Sequence, residues 1–335
     1  MPADARWTAA LPRLDRLRAG PAIAIGLLLG GLVGAFVAVS PHPAALVAFA
    51  AVLGLATVLA LTAEPVAEEV VKAPPGPQPG DERVNARDGT VLVWVPGGEY
   101  TLGAEDLEEL FATDLPADEA ARLAGWAKPI HRVRLSGFWV ARHPVTNAQY
   151  RAFLAAEPDA KEPELWEDER FNEDRQPVVG VSWDEARAYC RWAGLELPSE
   201  AQWEAAARGD DGRRYPWGDQ PPDEARACFG QDWQKGKPAA VGEHPRGEGP
   251  FGTHDQAGNV WEWCLDVWDP KAYEGREGEA DPASTEGEDS LRVVRGGSWD
   301  DPAWLLAAAF RVGGVSSDRG QGLGFRCVVS VPAES

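Results

Sequence analysis

The chain has 335 residues, enough for one large domain or two ordinary ones with a sizeable core. Its 32 Lys and Arg against 53 Asp and Glu give a net charge of -21, which repels phosphate backbones and argues against nucleic acid as a partner. Thirty-six Gly and 15 Trp beside only five Tyr indicate many turns and irregular aromatic packing, and argue against a helical bundle.

Residues 1–20 form a basic segment with four arginines against two aspartates. A run of 45 uncharged residues follows, from 19 to 63. As one helix this run would be ~68 Å long, about twice the ~30 Å thickness of the hydrocarbon layer. Pro41 and Pro43 interrupt it near its middle, where proline ends helices. The sequence therefore predicts a transmembrane helical hairpin over 21–63 and an integral membrane protein with two spans.

The side of the membrane stays open at this point. The arginine excess in 1–20 favours a cytoplasmic N-terminus, and a hairpin returns the chain to the same side, so the large domain is expected in the cytoplasm. Paired cysteines would instead favour the extracytoplasmic side, because disulfides persist in oxidising compartments. Residues 64–83 are acidic and Pro-rich and predict an extended linker, and the folded domain is predicted over 84–331.

Within the domain, Thr90–Val95 predicts a strand that turns through Pro96-Gly97-Gly98 into a second strand. Residues 104–126 place acidic and apolar side chains at helical spacing and predict a helical insertion that lies over the surface. Beyond Gly209 the helical period disappears. Short strands between Gly, Pro and Asp turns are predicted in YPWGD (215–219), GNVWEWCLDVW (258–268), LRVVRGGSW (291–299) and GLGFRCVVSV (322–331).

Three further helices begin at capping boxes, in which Ser or Thr caps exposed amides and a Glu or Gln three residues on reaches back. Thr146 opens NAQYRAFLAA, Ser182 opens WDEARAYCRWA, and Ser199 opens EAQWEAAAR. Gly194 and Gly209 end the last two. The pattern as a whole predicts an α+β fold with little regular secondary structure.

Seven segments occur in an order that resembles the sulfatase-modifying-factor family, which includes formylglycine-generating enzymes. They are WVPGGEYTLG (94–103), HRVRLSGFWVARHPVTNAQYRAF (131–153), PVVGVSWDEARAYCRWAGLELPSEAQWEAAARG (177–209), RYPWGD (214–219), DQAGNVWEWCLDVW (255–268), RVVRGGSW (292–299) and GFRC (324–327). The resemblance implies a C-type-lectin-like domain over about 90–330. Five tryptophans are expected in the core, namely Trp183, Trp203, Trp217, Trp261 and Trp263. Arg295 and Arg326 are expected to anchor loops.

The resemblance also implies where an oxidase would hold copper(I). The enzymes carry two cysteines three and eight residues after the serine of GGS, because soft thiolates suit Cu(I). Counted from Ser298, those positions are Asp301 and Leu306. A carboxylate is a hard donor and leucine ligates nothing, so no copper is expected and the chain resembles non-oxidase members.

A calcium site is implied by the resemblance of DQAGNVWE to a calcium loop of the family. The side chains of Asp255 and Glu262 and the carbonyls of Gly258 and Val260 would be the ligands, and oxygen donors suit this hard cation. The alternative is a turn stabilised by the aspartate beside a surface glutamate.

Cys190 and Cys327 match positions that form a disulfide in the eukaryotic enzymes. Such a bridge would need an oxidising compartment. The alternative is a pair of buried free thiols in contact, which agrees with a cytoplasmic domain.

For function, the resemblance favours a binding module that presents the loop 298–322 to a peptide, protein or small-molecule ligand. The candidate ligand-binding residues are Trp299, Asp300, Asp301, Trp304, Arg311, Ser316, Ser317, Asp318 and Arg319. The alternatives are a formylglycine-generating oxidase that acts on a sulfatase cysteine, or an enzyme with an altered site that uses Asp300 and Asp301 for acid–base work.

Overall fold

The computed structural model describes residues 76–285 and 291–331. The predicted basic segment 1–20, the hairpin 21–63 and the linker up to residue 75 lie outside the described residues, so these predictions stay predictions. Within the two described ranges, no helix has the length and apolar character needed to cross a membrane.

The described residues form five α-helices: α1 Leu107–Phe111, α2 Ala117–Gly125, α3 Asn147–Ala156, α4 Trp183–Ala193 and α5 Glu200–Arg208. The last three begin where the capping boxes predict. In each, the side chain of Thr146, Ser182 or Ser199 accepts a hydrogen bond from the amide three residues on, and the reciprocal bond is present. Gly194 ends α4 in the left-handed conformation, with φ 71°. These predictions are confirmed.

Ten strands accompany the helices: β1 Glu82–Val84, β2 Val91–Val95, β3 Gly98–Leu102, β4 His131–Leu135, β5 Phe138–Ala141, β6 Trp261–Val267, β7 Leu291–Arg295, β8 Arg311–Val315, β9 Leu323–Gly324 and β10 Val328–Ser330. One sheet has the order β1-β2-β5-β10, a second pairs β3 with β4, and a third has the order β8-β7-β6-β9. Much of the remaining described chain is turn and loop, as expected for an α+β domain with modest regular structure.

Tryptophans fill the core beneath the third sheet. Trp203 and Trp263 have no exposed surface, and Trp183 is 4% exposed. Burying such a ring removes about 150–250 Å² from water, worth roughly 4–6 kcal/mol. The indole N–H of Trp183 donates to the carbonyl of Cys264 at 2.8 Å, so the polar atom of the buried ring is satisfied. The core assignment of these rings is confirmed.

A short strand lies at the predicted start of the domain, where Glu82–Val84 pairs antiparallel with β2. Two local predictions are wrong in detail. The insertion 104–126 does more than cover the surface, since α1 buries Leu107 and Phe111 in an apolar cluster. YPWGD is a turn closed by an isolated bridge between Tyr215 and Gly218, not a strand.

Candidate functional site

The chain turns sharply after β7. Gly296 and Gly297 have φ 100° and 76°, a region that side chains with a Cβ rarely adopt. The turn places the Ser298 hydroxyl 2.6 Å from Asp301 Oδ2 and 2.7 Å from Asp300 Oδ1. The Ser298 amide also donates to Asp301 Oδ2, at 2.9 Å. We call Ser298, Asp300 and Asp301 the Ser298 corner.

The Ser298 hydroxyl lies between two carboxylates. Its single hydrogen can be shared in a three-centre bond, with Asp300 and Asp301 as the acceptors. Burial raises the pKa of Asp301; its hydrogen bonds from Ser298 oppose this, and the charge of Asp300 adds to it. The corner therefore brings two acidic side chains onto one hydroxyl.

The two positions that correspond to copper ligands do not form a soft-metal site. Asp301 offers hard oxygen atoms that are already hydrogen-bonded to Ser298. Leu306 is fully buried in the apolar cluster that contains Phe111 and Phe310. Copper(I) therefore does not fit the residues present, on the chemistry of their donor atoms.

Two predicted ligand-binding residues belong to the core, which corrects the prediction that the loop 298–322 lies on the surface. Trp299 has no exposed surface, and its indole N–H donates to the Gln321 carbonyl at 3.1 Å. Arg311 is also fully buried: its guanidinium binds Glu200, with Nη2 2.8 Å from Oε2, and donates to the Asp269 carbonyl at 2.9 Å. The sequence shows an aromatic and charged loop, but tertiary packing decides which side chains face solvent.

A third residue of that loop, Trp304, is half-buried. Its ring meets Phe111 edge-on, with centroids 5.1 Å apart, and packs against Phe310 at 6.4 Å. These contacts tie the loop to the insertion helix α1. Trp304 therefore acts first as a packing residue.

The end of the loop lines a groove. Ser316, Ser317 and Arg319 border a cavity of about 510 Å³ together with Tyr150 of α3 and residues of α4. We call it the Tyr150 groove. Asp318 is exposed but does not line it. Arg319 forms an ion pair with Glu185, the first-turn glutamate that completes the Ser182 capping box.

Tyr150, after which the groove is named, carries a buried polar atom without a partner among the described residues. Tyr150 has no exposed surface, and its hydroxyl has no hydrogen-bond partner among the described residues. A buried hydroxyl without a partner costs about 1–3 kcal/mol. Burial raises the pKa of Tyr150, while the nearby Arg319 charge partly opposes that rise. The phenol is therefore neutral and able to donate.

The predicted calcium ligands are only partly free to bind a cation. Both carboxylate oxygens of Glu262 bind Arg326, at 2.6 and 2.7 Å, and Trp203 donates to the same group at 2.6 Å. Asp255, with φ 60°, accepts from the Gly242 amide at 2.8 Å. The described residues contain no cluster of three or more His, Cys, Asp or Glu side chains suited to a metal. Glu262 is thus committed to Arg326, and calcium binding stays a prediction.

The predicted cysteine pair lies in the core. The sulfur atoms of Cys190 and Cys327 are 3.4 Å apart, and both cysteines are free thiols in this structure. Burial raises the pKa of the Cys327 thiol, and the hydrogen bond with Cys190 adds to that effect.

A buried ionic network lies beneath β7 and β8, and the sequence analysis did not identify it as a unit. Arg295 binds Glu200 at 2.9 Å and Glu204 at 2.6 Å, and Arg208 binds Glu204 at 2.6 Å. With Arg311 on Glu200, these five residues form the Glu200 network. All five are buried. The signal in the sequence was the spacing of the two glutamates, four residues apart on one face of α5.

Comparison with known proteins agrees with this geometry. Residues 78–331 match the family described as the sulfatase-modifying factor enzyme 1-like domain. The chain belongs to this family. Among curated relatives, it is 32% identical over 292 residues to the formylglycine-generating enzyme of Streptomyces coelicolor, an alignment that covers 70% of this chain and 88% of that enzyme.

Relatives with different named activities are equally similar to this chain, at 32% identity. The chain is also 32% identical to the hercynine oxygenase of Mycolicibacterium smegmatis, over 65% of this chain and 56% of that protein. It is 32% identical to the serine/threonine-protein kinase Pkn1 of Chlamydia trachomatis, over 72% of this chain and 38% of that protein. The chain thus spans only part of the length of these two relatives.

Two solved structures share the fold. PvdO from Pseudomonas aeruginosa aligns with a TM-score of 0.62 at 24% identity, over 76% of this chain and 100% of PvdO. Treponema denticola variable protein 1 aligns with a TM-score of 0.56 at 22% identity, over 75% of this chain and 99% of that protein.

Proposed function

We propose that this sulfatase-modifying-factor family member binds a ligand without oxidising it. The observation that carries the proposal is the pair of residues at the copper positions: Asp301 is hydrogen-bonded to Ser298, and Leu306 is buried among apolar side chains. A family oxidase needs two soft donors there, and neither residue supplies one. The Tyr150 groove, bordered by Ser316, Ser317 and Arg319, is the proposed ligand site.

The formylglycine-generating oxidase is the second candidate. Similarity to the Streptomyces coelicolor enzyme over 88% of its length favours it. An enzyme with different chemistry at the Ser298 corner is a third, favoured by the hydroxyl that lies between two carboxylates. Both need substrate to reach Ser298, which is only 3% exposed.

The test is a peptide-oxidation assay with the full 335-residue chain in mild nonionic detergent. A peptide that contains Cys-x-Pro-x-Arg is incubated with copper and a thiol reductant, and formylglycine is detected by mass. We expect no conversion by the native chain. Gain of conversion by the Asp301→Cys, Leu306→Cys double variant would support descent from an oxidase, whereas conversion by the native chain would overturn the proposal.

We further propose that the chain is anchored in a membrane through residues 21–63, with calcium as a candidate cofactor. The uncharged run of 45 residues supports the anchor. In intact cells, labelling of an Ala73→Cys variant by a membrane-impermeant maleimide reports the side of the membrane. We expect the chain in the membrane fraction and no labelling, because the arginines of 1–20 favour a cytoplasmic domain. Recovery in the soluble fraction would contradict the anchor.

A further inference from the structure

A second cavity, of about 690 Å³, lies beside α4 and shares only Asp184 and Ser316 with the border of the Tyr150 groove. We call it the Trp183 cavity, after the buried indole in its wall. Its volume falls within the range of about 300–1,000 Å³ that is usual for ligand pockets. The indole N–H already donates to the Cys264 carbonyl at 2.8 Å, so the ring is fixed in place and presents its face rather than a donor.

Two arginines of the wall lie over this one indole. The guanidinium carbon of Arg292 is 3.8 Å from the centre of the Trp183 ring, and that of Arg187 is 4.6 Å from it. Arg292 is only 3% exposed, so water and salt screen its charge less than that of a surface arginine. Arg191 borders the cavity one turn further along α4 than Arg187, a spacing that places Cβ atoms about 5–6 Å apart. The wall therefore brings three guanidinium groups together.

Apolar side chains adjoin these charges. Three leucines border the cavity: Leu195, Leu197 and Leu265. The backbone carbonyl of Leu265 accepts a hydrogen bond from Arg292 Nη1 at 3.2 Å, so the apolar and cationic parts of the wall are in contact. The border also contains the carboxylates of Asp184 and Glu196, which are exposed and therefore solvated, and oppose the arginines only weakly.

We infer that the Trp183 cavity binds a carboxylate at the end of a branched aliphatic group, with the carboxylate on Arg187 and the aliphatic group against the leucines. Arg187 is partly exposed, so an anion can reach it from solvent. A guanidinium that stacks on an indole keeps its N–H groups in the plane in which a carboxylate binds. The apolar wall favours this ligand over inorganic phosphate, which would leave the leucines without a partner.

Two kinds of molecule carry this chemistry: the C-terminus of a peptide that ends in leucine, and a free short-chain acid. The inference goes beyond the proposed function, because it assigns a second site with a ligand of its own. Neither the Tyr150 groove nor the Ser298 corner supplies any of the three arginines.

The test is isothermal titration of the full chain with two acids and their amides. Isocaproate represents the free acid and N-acetyl-leucyl-leucine the peptide C-terminus, and each amide keeps the shape but loses the charge. We expect saturable binding of at least one acid and at least tenfold weaker binding of its amide, because a lost charge-assisted hydrogen bond costs about one factor of ten or more. Failure of both acids to bind, or equal binding of acid and amide, overturns the inference.

Matched variants locate the binding. Arg187→Met should weaken binding of the acid about tenfold. Arg246→Met removes the same charge at an exposed position that does not border the cavity, and should leave binding unchanged. Unaltered binding by Arg187→Met would overturn the inference.

The peptide-oxidation assay is independent of this titration. Absence of carboxylate binding leaves the non-oxidase proposal intact, and formylglycine production would overturn that proposal whatever binds in the Trp183 cavity.

Discussion

The Glu200 network and the Tyr150 groove both contain acidic and basic side chains, but these are buried and paired in the network and largely exposed in the groove. In the network, two glutamates and three arginines are buried and paired with one another. In the groove, Lys161 and Asp184 are exposed and unpaired among the described residues, and the buried Tyr150 hydroxyl has no partner. Charges that are buried and paired with one another hold the fold together, whereas charges exposed beside the groove are solvated and are free to contact a ligand.

The contrast between the network and the groove also separates two parts of the loop 298–322, which the sequence predicts to be a single binding surface. Arg311 and Trp299 lie in the interior, while Ser317 and Arg319 border the groove. Removal of one partner from a buried ion pair leaves an uncompensated charge, at a cost of about 3–5 kcal/mol. A partly exposed pair is worth about 1 kcal/mol or less.

The largest expected effect comes from a matched pair of arginine variants. Arg311→Met should lower the free energy of unfolding by about 3–5 kcal/mol, because Glu200 would lose a buried partner. Arg319→Met should lower it by about 1 kcal/mol, because its ion pair with Glu185 is partly exposed. Urea unfolding followed by tryptophan fluorescence measures both. Equal effects would contradict the division of the loop.

The pH dependence of stability is the second test. Burial alone would raise the pKa of Glu204, but Arg295 and Arg208 outweigh it and lower the pKa to about 2, from 4.5. The stability from this group is complete above pH 4.5 and is lost as the pH falls toward 2. Between pH 7 and pH 3 the loss is about 2 kcal/mol.

Glu204→Gln isolates that contribution. The difference in unfolding free energy between the native chain and the variant should shrink by about 2 kcal/mol from pH 7 to pH 3. A difference that stays constant would mean that the network does not hold Glu204 ionised. Carbon-13 NMR titration of the Glu204 carboxyl gives the pKa directly.

The smallest effect contrasts two stacked tyrosines, whose ring centroids lie 5.8 Å apart. Tyr189 donates to Asp88 at 2.6 Å, so Tyr189→Phe should cost about 1.5 kcal/mol. Tyr150→Phe removes an unpartnered hydroxyl and should leave thermal stability unchanged or slightly higher. Thermal unfolding without ligand measures both variants. A marked loss for Tyr150→Phe would indicate a hydrogen bond within the protein.

The features that the sequence predicts correctly are local ones. The capping boxes at Thr146, Ser182 and Ser199 place three helix starts correctly, because both partners of each box lie within four residues. The strands β2 and β6 follow from β-branched and aromatic runs. The family, too, follows from ordered motifs.

The features that the sequence misses depend on distant partners. Arg311 joins Glu200, which is 111 residues away in the chain, so its burial cannot be foreseen from neighbouring residues. The strand β1 has no apolar alternation and exists through its pairing with β2. The Tyr150 groove combines residues of α3, α4 and the loop after β8, and only the fold brings them together.

The central claim is that the chain lacks the soft donors that hold copper(I) in an oxidase. Copper(I) binding tests it most directly, because any other pair of soft donors in the chain would also be detected. The full chain is titrated against a chromophoric copper(I) chelator under anaerobic, reducing conditions. We predict that the chelator keeps its copper, since Asp301 and Leu306 supply no thiolate and the described cysteines are buried. Transfer of one equivalent of copper to the native chain would contradict the account.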